Sequence, residues 1–124
     1  MGDAAGYHPG WVYHGLVVGT ATDAACLLRL SGDLVRPNSL SRMLEPKPLP
    51  QFRSELCPDP AYGLGLMLRA RNPLSHPIGH SGSGPGSRIA VYAQQGTTCV
   101  VWAATASGVD PEAEVFRSLR NGGI

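Results

Sequence analysis

Apolar and polar positions repeat with two different periods along this chain. In the first third, Ala21, Ala24, Leu27 and Leu28 recur on one face at helical spacing, with Arg29 near the end. Thr20-Ala21-Thr22-Asp23 places a hydroxyl N-cap ahead of an acid, a helix-start pattern. This predicts a helix that Ser31-Gly32-Asp33 stops. A second short helix is expected from about Asn38 or Ser39 to Leu44, since Pro46 and Pro48 prevent its extension. Beyond Pro60 the period falls to two. Tyr62-Gly63-Leu64-Gly65-Leu66-Met67-Leu68 reads as a strand with glycines on alternate positions, and Ile78 to Gly82 as a short strand. Arg88 to Ala93 and Thr97 to Ala104 read as a hairpin around Gln94-Gln95-Gly96. Asp110-Pro111-Glu112 opens a last helix with an N-cap, a first-turn proline and an acid near the positive helix end. Val115, Phe116 and Leu119 form its apolar face, and Asn121-Gly122 ends it.

The segments between carry little periodicity. Met1 to Gly10 reads as loop, and Trp11 to Val18 as an apolar lead-in, extended or briefly helical. Lys47 to Pro60 has four prolines in fourteen residues and reads as an irregular connector. Arg71 to Pro77 is a turn region. There are no internal repeats. Helices, then an antiparallel sheet, then a terminal helix give an α+β class, an antiparallel sheet with flanking helices.

Composition narrows the function more than the fold. The 124 residues fit one domain with a modest core. The formal net charge is +1 and the basic residues are scattered, which argues for no nucleic-acid partner. No apolar run approaches the roughly 18 residues of a membrane span. Met1-Gly2-Asp3 lacks the basic flank and apolar block of a signal peptide, so no targeting segment is expected and the default location is cytoplasmic. Cys26, Cys57 and Cys99 are odd in number and far apart, and are expected to be reduced, mostly buried thiols.

Candidate chemistry gathers at Gly79-His80-Ser81-Gly82-Ser83-Gly84-Pro85-Gly86, four glycines in eight residues. Glycine inside a strand leaves room for a ligand or a second chain segment. His80 is the one group there that changes charge near neutral pH. Gly79-His80-Ser81-Gly82-Ser83 approaches the Gly-x-Ser-x-Gly elbow of α/β-hydrolases. However, Ser83 replaces the last glycine, a strand rather than a helix follows, and no histidine comes after His80. Ser81 therefore reads as a small strand residue. His76 and His80 have i, i+4 spacing, but Pro77 breaks the helix that would align them on a metal. His8 and His14 have no carboxylate or thiol at ligand spacing. No metal and no cofactor are expected. A phosphate-cradling loop is also excluded, because the cluster lacks Gly-Lys-Ser/Thr and feeds a strand.

Three pieces taken together resemble the C-terminal part of the penicillin-recognising serine hydrolases, the group of class C β-lactamases, D-alanyl-D-alanine carboxypeptidases and related esterases. They are Gly19-Thr20-Ala21-Thr22-Asp23-Ala24, Tyr62-Gly63-Leu64-Gly65-Leu66, and Gly79-His80-Ser81-Gly82 with Pro85-Gly86. Their order and spacing fit, as do the terminal hairpin and helix, from about His8 onward. The resemblance implies a partial β-lactamase/DD-peptidase-like fold. Residues 1–50 would be the tail of the helical region, 51–61 a Pro-rich connector, and 62–124 the last strands and terminal helix of the sheet domain. It also implies that His80, Ser81 and Gly82 occupy the Lys/His-x-Gly box on the sheet edge that walls the active site. There His80 would steady a substrate carboxylate and tune proton transfer, and Gly82 would let the substrate amide lie against the strand. The backbone N–H of Ser83 would be one oxyanion-hole donor.

The chain departs from that family where attack occurs. The family nucleophile sits in Ser-x-x-Lys, yet the one lysine here, Lys47, has Leu44 three positions before it. Tyr-x-Asn is absent too: Tyr7, Tyr13, Tyr62 and Tyr92 are followed two places on by Pro9, Gly15, Leu64 and Gln94. The expectation is a truncated member with one wall of a site and no nucleophile. Small-molecule or peptide substrates would bind only if an N-terminal part completed it. The missing cover implies exposed apolar surface, with self-association or marginal stability. The alternative is a non-catalytic binding or assembly module that keeps part of the fold.

Overall fold

A computed structural model describes residues 19–84 and 86–122. The readings of Met1 to Gly10 and Trp11 to Val18, of His8 and His14, and of Pro85 lie outside the described residues. The described chain is α+β, with three α-helices and one six-stranded antiparallel sheet.

Helix α1 spans Ala21–Leu34 and begins in a full capping box. The Thr20 Oγ1 accepts from the Asp23 amide at 3.1 Å, and Asp23 Oδ2 accepts from the Thr20 amide at 2.7 Å. The Thr20 amide, and then the Thr20 hydroxyl, which donates to the same Oδ2 at 2.8 Å, hold the Asp23 carboxyl below its ordinary value. The helix runs through the expected stop at Ser31-Gly32-Asp33 and ends one residue past it. The physical break is Arg36-Pro37, because a residue before proline is driven out of the helical region. Arg36 is extended (φ −64°, ψ 148°), and Pro37 then serves as the first residue of α2, Pro37–Met43.

The Pro-rich segment is more ordered than its composition implies. Its first residues form strand β1, Lys47–Pro48, which pairs with β2, Pro60–Tyr62. A 3-10 turn over Pro50–Phe52 separates them. The single strand expected over Tyr62 to Leu68 is instead a tight hairpin of β2 and β3, Met67–Arg69. Gly63 donates to the Leu66 carbonyl at 2.8 Å, and Gly65 sits at φ 76°. A Cβ on Gly63 would overlap the Met43 carbonyl oxygen. The alternating glycines therefore mark a corner wedged under the end of α2, not a pleated run.

After a 3-10 turn at Pro73–Ser75 come β4, Ile78–Gly84, β5, Ser87–Gln94, and β6, Thr97–Ala104. Gln95 (φ 49°) and Gly96 (φ 82°) make the two-residue turn between β5 and β6. Positive φ at both positions is the type I′ geometry whose twist suits a hairpin. The strands follow one another across the sheet in chain order, β1 to β6. Only Met67↔Gly79 joins β3 to β4, so a short three-stranded half meets a long three-stranded half at one corner.

Helix α3, Pro111–Arg120, is capped by Asp110, whose side chain accepts from the Glu112 and Ala113 amides. It packs Val115, Phe116 and Leu119 onto Ala90 and Tyr92, with Met67, Cys99 and Val101 at the margin. The Tyr92 and Phe116 rings meet edge-on, centroids 4.9 Å apart. The other face carries a separate core of Ala61, Leu66 and Leu68, against which Leu28, Met43, Leu44 and Ile78 pack. The sheet is thus covered by α3 on one side and by residues of α1 and α2 on the other. The three cysteines are free, as expected, but each is half-buried rather than buried.

Candidate functional site

Strand β4 carries all four residues singled out in the glycine cluster: His80, Ser81, Gly82 and Ser83. Gly79 makes this strand possible. A Cβ there would overlap the Val91 carbonyl oxygen and lie 2.7 Å from the Tyr92 Cα, so β4 and β5 approach closely only because it has none. From His80 to Gly84 the strand pairs with β5 but not with β3. Backbone groups of a strand alternate between its two edges. Half of the N–H and C=O groups in this stretch therefore face no neighbouring strand among the described residues. Among the described residues nothing lies within 4 Å of where a Gly82 Cβ would stand, so the sheet face above Gly82 is open there.

Side chains along β4 alternate between the two faces. His80 is exposed, and its Nε2 lies 2.9 Å from the Tyr62 hydroxyl, the rings edge-on with centroids 5.9 Å apart. Tyr62 comes from the hairpin half of the sheet, so this bond spans the gap where β3 and β4 part. Which of the two groups donates is set by the tautomer of the His80 ring. Ser81 faces α3. Its hydroxyl donates to the Met67 sulfur at 3.5 Å, a weak acceptor, and no imidazole among the described residues is hydrogen-bonded to it. This is not the geometry of an activated serine.

A polar cluster lies beside Ser81. The Tyr92 hydroxyl is 2.5 Å from Glu112 Oε1 and 3.2 Å from the Met67 sulfur. It has one proton, and the carboxylate is much the stronger acceptor. Burial, and then this carboxylate, push the Tyr92 hydroxyl well above the usual tyrosine range, so it stays a neutral donor. A hollow of about 310 Å³ opens over the cluster, walled by Phe52, Met67 and Phe116. A second, more open hollow of about 350 Å³ runs along Gly82, Ser83, Arg88 and Asp110. Ser81 and Glu112 line both. Cys57 borders the first, and burial raises its thiol, so it is protonated at neutral pH.

His80, Ser81, Gly82 and Ser83 were all legible as a motif. Tyr62, Met67, Tyr92 and Glu112 were not, since they reach the site from β2, β3, β5 and α3. The faint signal for them is that Tyr62 and Tyr92 are polar-tipped aromatics in otherwise apolar strands. His76 and His80 do not converge, and among the described residues no three His, Cys, Asp or Glu side chains come together as a metal ion would need. No described helix is long and apolar enough to cross a membrane. No family model, curated protein or solved structure matches the chain.

Proposed function

We propose that this chain supplies one wall of an acyl-transfer site of the kind found in penicillin-recognising serine hydrolases, with a partial β-lactamase/DD-peptidase-like fold. The observation that carries the reading is the edge of β4, where His80-Ser81-Gly82 begins a backbone stretch paired on one side only among the described residues. An extended amide can add to such an edge as a short strand would, with Gly82 leaving the approach clear. His80 stands at the start of that edge, steadied by Tyr62, where an imidazole can meet a carboxylate or relay a proton. The Ser83 N–H is the proposed donor to the oxyanion.

The sequence holds neither Ser-x-x-Lys nor Tyr-x-Asn, and the Ser81 hydroxyl is bonded to a thioether rather than to a base. The proposal therefore includes no turnover by this chain alone. Substrates of the reading are D-Ala-D-Ala peptides, β-lactams and small esters, bound only once a segment bearing the two missing motifs is supplied. The direct test is hydrolysis of a chromogenic β-lactam and of a nitrophenyl ester by the chain alone, and again after adding such a segment. No hydrolysis alone and gain of hydrolysis on complementation, abolished by His80→Ala, is the expected result. Turnover by the isolated chain defeats the missing-nucleophile account. Failure of complementation by every active donor segment favours a binding module built on the same open edge.

A further inference from the structure

We propose that the hollow beside Ser81 binds a small apolar amine, its ring against Phe52 and Phe116 and its ammonium on Glu112. This goes beyond the hydrolase reading and does not depend on it. The cavity volume of about 310 Å³ is at the lower end of small-ligand pockets, enough for a single-ring molecule. Its walls are mostly apolar, and Phe52 stands 67% exposed at the lip. A ring entering there gains contact that water does not provide.

Charge selects the head group. Arg69, which also borders the hollow, is paired elsewhere: its guanidinium bonds Asp59 at 2.9 Å and the Leu56 carbonyl at 2.8 Å. Glu112 has no cationic partner among the described residues. Its one side-chain bond is from the neutral Tyr92 hydroxyl, which leaves acceptor capacity on a carboxylate able to take about four hydrogen bonds. Arg88 lines the neighbouring hollow together with Asp110 and Glu112 but forms no ion pair with either. The N-terminus of α3 offsets part of the Glu112 charge, yet Asp110 already caps that helix end. The Ser81 oxygen keeps its lone pairs while donating to sulfur, and offers the ammonium a second acceptor at the same place. An anion meets the Glu112 carboxylate there, and a neutral analogue gains only the walls.

The test is an amide NMR titration of the full chain with benzylamine, benzyl alcohol and benzoate. Benzylamine is expected to shift the Met67, Ser81 and Glu112 amides and to bind about tenfold tighter than benzyl alcohol, the yield of one charge-assisted hydrogen bond. Benzoate should not bind. Glu112→Gln keeps an acceptor for Tyr92, so the fold stands, and it should bring benzylamine down to the level of benzyl alcohol. Phe52→Ser, at the exposed lip, should weaken both. Equal binding of the three probes, unchanged benzylamine affinity in Glu112→Gln, or shifts confined to other residues would each overturn the proposal. None of these outcomes bears on hydrolysis after complementation, so the two readings fail separately.

Discussion

At Asp59 one carboxylate joins the two halves of the short hairpin. Its Oδ1 takes Arg69 Nη1 at 2.9 Å, and its Oδ2 takes the Arg71 amide at 3.2 Å, with Arg71 Nε 3.7 Å away. The Arg69 hydrogen bond, ahead of the other causes, holds the Asp59 carboxyl below its ordinary value of 3.8. A depressed carboxylate stabilises the fold fully above its unfolded value, and that contribution is lost as pH falls through the lower, folded one. Acid melting should therefore show a decline that starts near pH 3.8 and continues below it. Asp59→Asn should be less stable at neutral pH, with a smaller loss on acidification. Thermal melts of both proteins from pH 2 to 7 measure this, and parallel curves would exclude Asp59 as a source of the slope. In the sequence Asp59 is one residue of a Pro-rich stretch, and its partner lies ten positions on. No local pattern links them, because the link exists only once β2 turns back on β3.

Among the elements, β4 is where close packing and open space adjoin. Gly79 is pressed on β5, while Gly82, three residues further, faces nothing within 4 Å among the described residues. Gly79→Ala should cost about 2–3 kcal/mol or more, since the obstacle is backbone that cannot swing aside. Gly82→Ala should stay within about 0.5 kcal/mol of the parent, as an unconstrained surface change does. Urea unfolding separates the two. A costly Gly82→Ala would mean that the space off the Gly82 face is filled in solution and not open to a ligand. The two glycines look alike in the sequence, where both belong to one cluster. The elements with their own local chemistry were legible: Thr20 with Asp23 started α1, Asp110-Pro111 started α3, and Gln95-Gly96 closed the β5–β6 turn. The hairpin at Gly63 to Leu66 was not, because it is imposed by α2, a neighbour from another part of the chain.

For the whole molecule, the weak point is the outer edge of β6. Its sequence, Thr97-Thr98-Cys99-Val100-Val101-Trp102-Ala103-Ala104, has no charge and no proline, and among the described residues no strand lies beyond it. Trp102 is 50% exposed there. Sheet edges are normally guarded by lysine, proline or a bulge, and β6 itself carries none of these. The core behind it is small: Tyr92 and Val115 are the largest fully buried side chains of the described residues. The expected behaviour is concentration-dependent association through β6, with Trp102→Lys shifting the protein toward monomer. Sedimentation velocity over a wide concentration range checks it, and a monomer throughout would remove the edge as an association surface.

By itself, the sequence determined what depends on neighbours in the chain: where helices begin, which turn joins β5 to β6, which face of α3 is apolar, and that His80-Ser81-Gly82 sits on a strand. These follow from capping, φ preference and periodicity, each satisfied within a few residues. The tertiary structure alone decided what those pieces meet. It brought Tyr62 to His80, placed Glu112 and Tyr92 beside Ser81, turned the glycine-spaced run into a corner, and left one edge of β4 without a partner strand among the described residues. Each of these joins side chains from separate elements, and hydrogen bonding and packing across such distances leave no imprint on local order.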